Sequence, residues 1–285
     1  MNTLHFGTAG LSESFATLGY KEVFQVPEYL ARFGLDAFEY QCGRGVRLTE
    51  KNGNKLGLLG AEKGIRFSLH APYYISMSGI EDEKRLHSVD YLLQSAAAVR
   101  SLGGHRVIFH TGSCGKQSRE DALEKAMDTM ARAVEAMDEN GFSDIVLCPE
   151  VMGKINQLGT VSEVLQLCSV DPRITPCIDF GHLNARTLGG LCGKGEFAAV
   201  LDRMADALQD ERAANFHVHF SKIQYTQGGE KCHLTFEDTE FGPNFEPLLE
   251  LCAERGLTPT IICESAGTQA EDARAMARYY EALRG

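Results

Sequence analysis

The sequence predicts a single (β/α)8 barrel domain over residues 1–285. Eight short apolar runs alternate with longer stretches of helical periodicity, which is the pattern of parallel strands joined by helical crossovers. The chain has 285 residues, and a barrel of eight such units typically needs about 250 residues. No linker, low-complexity tract or charge block interrupts the chain, so we expect one domain.

The predicted strands are short and rich in Val, Ile and Phe, as strands buried on both faces should be. They are Leu4–Thr8, Ala37–Gln41, Arg66–Ala71, Arg106–His110, Ile145–Glu150, Thr175–Asp179, Asn215–Phe220 and Thr258–Glu264. Between them, apolar residues recur at three- and four-residue steps, for example Leu86, Val89, Leu92 and Leu93. Ser118 is a candidate N-cap for the helix that follows the fourth strand.

An open, doubly wound parallel sheet is the alternative arrangement of the same elements. Such sheets often bind dinucleotides through a Gly-x-Gly-x-x-Gly loop after the first strand. Gly7 and Gly10 do not form this pattern, so a dinucleotide site has no support.

Composition excludes several classes of protein. The net charge of -11 argues against a surface coated with phosphate-binding lysines, although the segment from Arg44 to Arg66 is locally basic. No apolar run is long enough to span a bilayer, and the N-terminal segment lacks the pattern of an export signal, so we expect a cytoplasmic protein. The nine cysteines contain no C-x-x-C pair, so we expect reduced thiols rather than disulfides or a zinc knuckle.

Histidine, aspartate and glutamate side chains lie at the C-terminal ends of the predicted strands. A barrel brings the C-terminal ends of its strands to one rim, so these side chains should converge although they are far apart in sequence. Charged groups at the ends of apolar strands are costly to bury unless they are paired or bind metal. The candidate ligands are His70, His110, Glu150, Asp179, His182, His217, His233 and Glu264.

The residue types predict a cluster of metal ions. Imidazoles combined with carboxylates suit zinc, iron or manganese better than magnesium or calcium. The ligands are too many for one ion, so we expect two or three ions that share a bridging carboxylate. Clustered ions activate water and neutralise the attacking and leaving oxygens of a phosphoryl group, which predicts hydrolysis of a phosphate ester. A serine hydrolase is not supported, because no G-x-S-x-G elbow is present.

Five segments together resemble the endonuclease IV family, zinc-dependent apurinic/apyrimidinic endonucleases with a xylose isomerase-like barrel. The segments are His70-Ala-Pro-Tyr73, Phe109-His-Thr-Gly-Ser113, Cys177-Ile-Asp-Phe-Gly-His182, His217-Val-His-Phe-Ser-Lys222 and Cys263-Glu-Ser265. The resemblance covers nearly the whole chain. It implies DNA repair by cleavage of duplex DNA 5′ to abasic sites, through attack of a metal-bound hydroxide. It implies neither a membrane nor an obligate protein partner.

The resemblance also implies roles for individual residues. One Zn²⁺ would be bound by His70, His110 and Glu150. Glu150 would bridge to a second Zn²⁺, with the further ligands Asp179, His217 and Glu264. A third ion would be served by His182 and His233. Glu150 and Glu264 would be the catalytic residues, Tyr73 and Arg44 would bind DNA at the lesion, and Mn²⁺ or Fe²⁺ are the alternative ions.

The chain departs from the family pattern at the third ion. An Asp is expected two residues before His233, and Lys231 stands there instead. A lysine ammonium cannot bind a cation, and Glu230 would substitute for the Asp only if the loop shifts. The segment from His217 to Lys222 also has His-Phe where the family has Asn-Asp. The third ion is therefore open, and a catalytically weak DNA-binding relative is one alternative.

A sugar isomerase or epimerase on the same barrel is the other alternative. It would bind one ion through Glu150, Asp179, His217 and Glu264. His182 would then contact the sugar, and His70 and His110 would be polar rim residues without a metal. The number of bound ions per chain distinguishes this alternative from the nuclease.

Overall fold

Eight parallel strands form a barrel, which confirms the predicted fold class. A computed structural model describes residues 4–285. The strands are β1 (His5–Ala9), β2 (Ala37–Gln41), β3 (Arg66–His70), β4 (Arg106–Phe109), β5 (Val146–Pro149), β6 (Cys177–Asp179), β7 (His217–Phe220), β8 (Ile223–Thr226), β9 (Gly229–His233) and β10 (Thr260–Cys263). The barrel order is β5-β4-β3-β2-β1-β10-β7-β6. A parallel bridge between Glu150 and Cys177 brings β5 beside β6 and closes the circle.

Helices surround the barrel and cover its outer face. They are α1 (Glu13–Thr17), α2 (Val26–Phe33), α3 (Glu50–Lys63), α4 (Asp82–Ser101), α5 (Arg119–Glu139), α6 (Val161–Cys168), α7 (Phe180–Arg186), α8 (Lys194–Leu208), α9 (Glu246–Arg255) and α10 (Gln269–Arg284). Val89 and Leu92 of α4 are buried against the barrel, as their spacing predicts. Ser118 caps α5 as predicted, because its hydroxyl accepts a hydrogen bond of 3.0 Å from the Asp121 amide.

An antiparallel hairpin that the sequence did not predict interrupts the alternation. It consists of β8 and β9, and it begins three residues after the end of β7. Because it follows the C-terminal end of a barrel strand, it lies on the same rim as the predicted ligands. Its strands are polar and partly exposed, so they lack the apolar run by which the barrel strands are recognised.

The interior of the barrel is unusually polar. Barrels of this type are generally filled by bulky aliphatic side chains, whereas here Glu39, Arg106, His217 and His219 are all buried. His217 Nε2 lies 2.9 Å from Glu39 Oε2. The strands that carry these two residues are separated by two others in the sheet, so the contact crosses the barrel interior.

The structure also bears on the expected absence of membrane-spanning helices and of disulfides. Among residues 4–285, no helix combines the length and the apolar character needed to cross a membrane. The cysteines are all free thiols, and Cys192 and Cys232 are the exposed ones. The first three residues of the N-terminal segment, in which no export signal was expected, lie outside the described range.

Gly7 in β1 lies where the backbone of β2 comes very close, and this provides a test of the barrel packing. A Cβ built on Gly7 would lie 2.0 Å from the Ala37 carbonyl oxygen. We expect Gly7→Ala to lower the free energy of unfolding by about 1–3 kcal/mol, because the obstructing atom belongs to the backbone and cannot rotate away. Urea unfolding followed by circular dichroism measures the change.

Gly195→Ala in α8 is the matched control. Nothing lies within 4 Å of a Cβ built on Gly195, and alanine is favoured over glycine in helices by about 0.5–1 kcal/mol. The control should leave stability unchanged or raise it slightly. Similar stability of the two variants would contradict the close approach of β1 and β2.

Candidate metal centre

Side chains of the kinds that bind metal ions gather at the C-terminal ends of the barrel strands. They form four groups, three at this rim and one deeper in the barrel, and within each group one ligand atom of every residue lies within 4.8 Å of the others. The first group is His70, His110 and Glu150; the second group is Glu150, Asp179, His219 and Glu264; the third group is His182, Glu230 and His233. Of the ligands predicted from the sequence, His217 belongs only to the fourth, deeper group, with Cys177 and His219.

The first group connects the ends of β3, β4 and β5. His70 Nε2 and His110 Nε2 lie 3.2 Å and 3.3 Å from Glu150 Oε2. Burial alone would raise the pKa of Glu150, but the charge of His219 and hydrogen bonds from three histidines hold it well below its ordinary value. The Glu150 carboxylate is therefore ionised and faces two imidazole nitrogens.

The second group connects β5, β6, β7 and β10 through the other oxygen of Glu150. His219 Nδ1 lies 3.0 Å from Glu150 Oε1 and 3.6 Å from Glu264 Oε2. Asp179 is fully buried at the end of β6, where its Oδ1 accepts a hydrogen bond of 2.7 Å from the His182 amide and caps α7. This leaves Asp179 Oδ2 turned toward the group.

His219, rather than His217, lies beside Glu150, Asp179 and Glu264, in the position that we predicted for His217. His219 is in register with Asp179, whereas His217 is in register with Cys177 one layer deeper in the barrel. Alternate residues of a strand point to the same side, and two residues span about 7 Å. His217 therefore also points into the barrel, but it lies too far below the rim to reach the second group. Its hydrogen-bond partner there is Glu39. Burial lowers the pKa of His217 to about 4.

The third group uses Glu230, which the sequence had left in doubt. His182 Nε2 lies 3.4 Å from Glu230 Oε2. The β8–β9 pairing contains a bulge, since Gln224 pairs with Cys232 while Tyr225 pairs with Glu230. The extra residue of a bulge reverses the alternation of side chains, so Glu230 points to the same side as His233, and Lys231 is exposed. The lysine therefore does not obstruct a third ion.

Glu39 is a residue of the site that the sequence reasoning missed. It lies in β2, directly below the second group, and its Oε1 is 3.0 Å from His219 Nε2. Ser68 Oγ and Gln41 Nε2 also donate hydrogen bonds to its carboxylate. Burial alone would raise the pKa of Glu39, but His219 and His217 hold it well below its ordinary value. The available signal was a single acidic residue between Phe38 and Tyr40 in an otherwise apolar strand.

These residues fit divalent metal ions of the zinc type. Metal-binding imidazoles usually donate their second N–H to a carbonyl or carboxylate, which fixes the nitrogen that faces the ion. His70 Nδ1 donates to the Ala71 carbonyl at 2.9 Å, and His182 Nδ1 donates to the Val151 carbonyl at 3.0 Å. Asp179 Oδ2 is buried and accepts no hydrogen bond from any described residue. Nitrogen and carboxylate ligands in this number suit zinc, iron or manganese.

The two residues predicted to bind nucleic acid lie on adjacent loops at the mouth of the barrel. Tyr73 is 60% exposed and stacks on His110, with ring centroids 5.4 Å apart. The Tyr73 amide donates to the Gly43 carbonyl at 3.1 Å, which ties the loop after β3 to the loop that carries Arg44. Arg44 is exposed. An exposed aromatic ring therefore lies beside the first group, and an exposed cation lies on the neighbouring loop.

Comparisons of sequence connect the chain to several known proteins. The sequence profile of the xylose isomerase-like TIM barrel family matches residues 27–283. An uncharacterized protein of Methanocaldococcus jannaschii is 31% identical over 262 residues, which are 92% of each chain. A protein named probable endonuclease 4 from Acholeplasma laidlawii is 25% identical over 130 residues, which are 43% of this chain and 44% of that protein.

Solved structures of both nucleases and epimerases share the fold. Endonuclease IV from Thermus thermophilus has a TM-score of 0.69 at 21% identity over 98% of both chains. A D-tagatose 3-epimerase-like protein has a TM-score of 0.69 at 19% identity over 97% of both chains. These similarities concern the fold alone, whereas the profile match covers most of the sequence. The chain belongs to the xylose isomerase-like TIM barrel family.

Proposed function

We propose that the protein is a zinc-dependent endodeoxyribonuclease that cleaves duplex DNA 5′ to abasic sites. The observation that carries this proposal is the contact of three ligand groups at one rim. Glu150 belongs to the first and second groups, and His182 Nδ1 of the third group lies 3.0 Å from Asp179 Oδ2 of the second. The sequence similarity to proteins named probable endonuclease 4 supports the same reaction.

Bound divalent ions would lower the pKa of water and neutralise charge on the phosphate oxygens. The chain's own residues determine where this happens. Each oxygen of Glu150 faces two histidines. Oε2 faces His70 and His110, as described above, and Oε1 lies 3.0 Å from His219 Nδ1 and 3.2 Å from His182 Nδ1. Burial raises the pKa of Glu264, and His219 and His233 only partly oppose this effect. In the proposal, Glu264 also serves as the proton acceptor for the attacking water, beside its place in the second group.

The mouth of the barrel suits an extruded nucleotide. An abasic nucleotide is already unpaired, so turning it out of the duplex costs less free energy than flipping a normal base. In the proposal, Tyr73 occupies the space that the lesion leaves in the base stack, and Arg44 contacts the backbone. The net charge of -11 opposes general attraction to DNA, so in the proposal binding depends on local contacts such as those of Arg44.

A sugar epimerase that uses one ion is the second candidate. The observation in its favour is that the second group alone, with Glu150, Asp179, His219 and Glu264, is a complete ligand set for one ion. Several epimerases share the fold. The first and third groups have no assigned role in that reaction, and we therefore favour the nuclease.

A duplex with one abasic site tests the proposal directly. Zinc-loaded protein should nick the strand 5′ to the lesion and leave a 3′-hydroxyl, and removal of the metal by a chelator should abolish the nick. His110→Ala should reduce nicking by at least about 100-fold, because the variant loses the first group while the second group stays complete. A denaturing gel with a labelled strand measures the rate.

Two outcomes would contradict the nuclease. One is the absence of any nick by the zinc-loaded protein. The other is epimerisation of a ketose at an unchanged rate in His110→Ala, which would establish the single-ion reaction instead. An undamaged duplex serves as the substrate control.

The assignment of Glu230 to the third group makes a separate prediction. Glu230→Gln should lower the number of bound ions by one per chain, because it removes the only carboxylate of that group. Elemental analysis after dialysis measures the ion content. Lys231→Gln is the matched control, since Lys231 is exposed and should not affect the count. An ion count that falls in Lys231→Gln but not in Glu230→Gln would refute the bulged arrangement.

Glu39 should act as a positioning residue for His219. Loss of such a partner of a metal-binding histidine typically weakens metal affinity about 10–100-fold, and we expect this loss at one ion in Glu39→Gln. Competition with a chromophoric chelator measures the affinity of each ion. Glu62→Gln, an exposed position of α3, is the control. Unchanged affinities in Glu39→Gln would contradict the role of this contact.

A further inference from the structure

A cavity of about 210 Å³ opens at the N-terminal ends of the barrel strands, on the face opposite to the metal centre. Arg66, His105 and Asn215 are exposed at its mouth, and Ser68, Arg106 and His217 are buried at its base. Its volume is several times the roughly 30 Å³ that one water occupies in the liquid. The cavity can therefore hold a small polyatomic ligand together with ordered water.

The charge of this cavity is opposite to that of the chain. The sequence contains 39 acidic and 28 basic residues, but no Asp or Glu is among the described residues that line the cavity. Its lining instead includes two arginines and three histidines, together with hydroxyl and amide side chains. Residues 1–3, which are not described, are Met, Asn and Thr and carry no carboxylate side chain. This composition points to an anionic ligand.

Arg106 is the clearest sign of a missing partner. Its side chain is buried, and its Nη atoms donate to the Phe216 carbonyl at 3.1 Å, the Asn215 carbonyl at 2.8 Å and Asn215 Oδ1 at 3.0 Å. These acceptors are all neutral. Arg106 Nε is buried and has no hydrogen-bond partner among the described residues. A buried guanidinium without a counter-charge is costly, and a bound anion would supply that charge.

The acidic groups nearest to the cavity already have partners. Glu39, behind the base of the cavity, accepts hydrogen bonds from Ser68 Oγ at 3.0 Å and from His217 Nε2 at 2.9 Å. Asp36 accepts hydrogen bonds from His5 Nδ1 at 2.6 Å and from the Phe6 amide at 2.9 Å. Asp144 pairs with Arg100 on the outside of the barrel. None of these three carboxylates lines the cavity.

We propose that this cavity is a binding site for a small oxyanion, namely inorganic phosphate or the phosphate group of a monoester. Arginine matches the geometry of phosphate oxygens through paired N–H donors. In this site the guanidinium groups of Arg66 and Arg106 bind the oxyanion, and the hydroxyls of Thr258 and Thr260 donate to it. The proposal is independent of the reaction at the opposite rim.

Binding at this site would join three barrel strands at their base. Arg66 begins β3, Arg106 begins β4, and the carbonyls that Arg106 contacts directly precede β7. A ligand that binds the folded chain but not the unfolded chain stabilises the fold in proportion to the logarithm of its concentration. The site would therefore couple phosphate concentration to the stability of the barrel.

Nuclear magnetic resonance of the metal-free protein tests the proposal. Titration with inorganic phosphate should shift the amide signals of His105, Arg106 and Asn215 in a saturable way. A second titration with adenosine 5′-monophosphate distinguishes the two sources of the anion. Equal affinities indicate free phosphate as the ligand, and tighter binding of the nucleotide indicates an organic monoester.

A substitution at the mouth of the cavity tests phosphate binding without changing the buried residues at its base. Arg66→Gln should weaken phosphate binding by about tenfold or more, which is the effect of losing one charge-assisted hydrogen bond. Arg255→Gln on α9, where Arg255 pairs with Asp202, is the matched control and should bind as the wild type does. Shifts confined to the metal centre, or equal weakening in both variants, would overturn the proposal.

Discussion

The buried carboxylate of Glu150 is the interaction on which the rim of this barrel depends. One oxygen faces His70 and His110 from β3 and β4, and the other faces His182 and His219 from the opposite side. An ionised carboxylate in this position needs positive charge around it, because an isolated buried ion is costly. Protonated imidazoles or metal ions supply that charge. In our proposal, bound metal ions satisfy several of these buried carboxylates together.

Pairs of carboxylates and imidazoles continue from the rim into the interior of the barrel. Glu39 connects the rim to the layer below it through His219 and His217. Inside the barrel, Ile108, Cys148 and Cys177 form a small apolar cluster that is separate from the main core. The large apolar core lies instead between the strands and the surrounding helices. The helices therefore contribute most of the hydrophobic stabilisation, and the interior is free to hold charged and ligating side chains.

Periodicity predicted the strands, the barrel and most of the residues at its rim, because apolar runs and their polar ends are local features of the chain. The level of each side chain along the barrel axis, and the side of the strand to which it points, were less predictable. His217 and His219 point the same way in β7, and only the register with β6 reveals that His219 lies level with Asp179. Glu230 replaces Lys231 through a bulge in a polar hairpin, which no residue pattern indicates. Glu39 interacts with histidines about 180 residues away, so the sequence provides no local sign of its role.

We propose that the three adjacent groups of side chains at the rim each hold a metal ion. Anomalous X-ray diffraction at the zinc absorption edge, from crystals of the zinc-loaded protein, tests it most directly. We predict three anomalous peaks, one within each group, with Glu150 between the first two and Glu230 at the third. A single peak surrounded by Glu150, Asp179, His219 and Glu264 would contradict this claim.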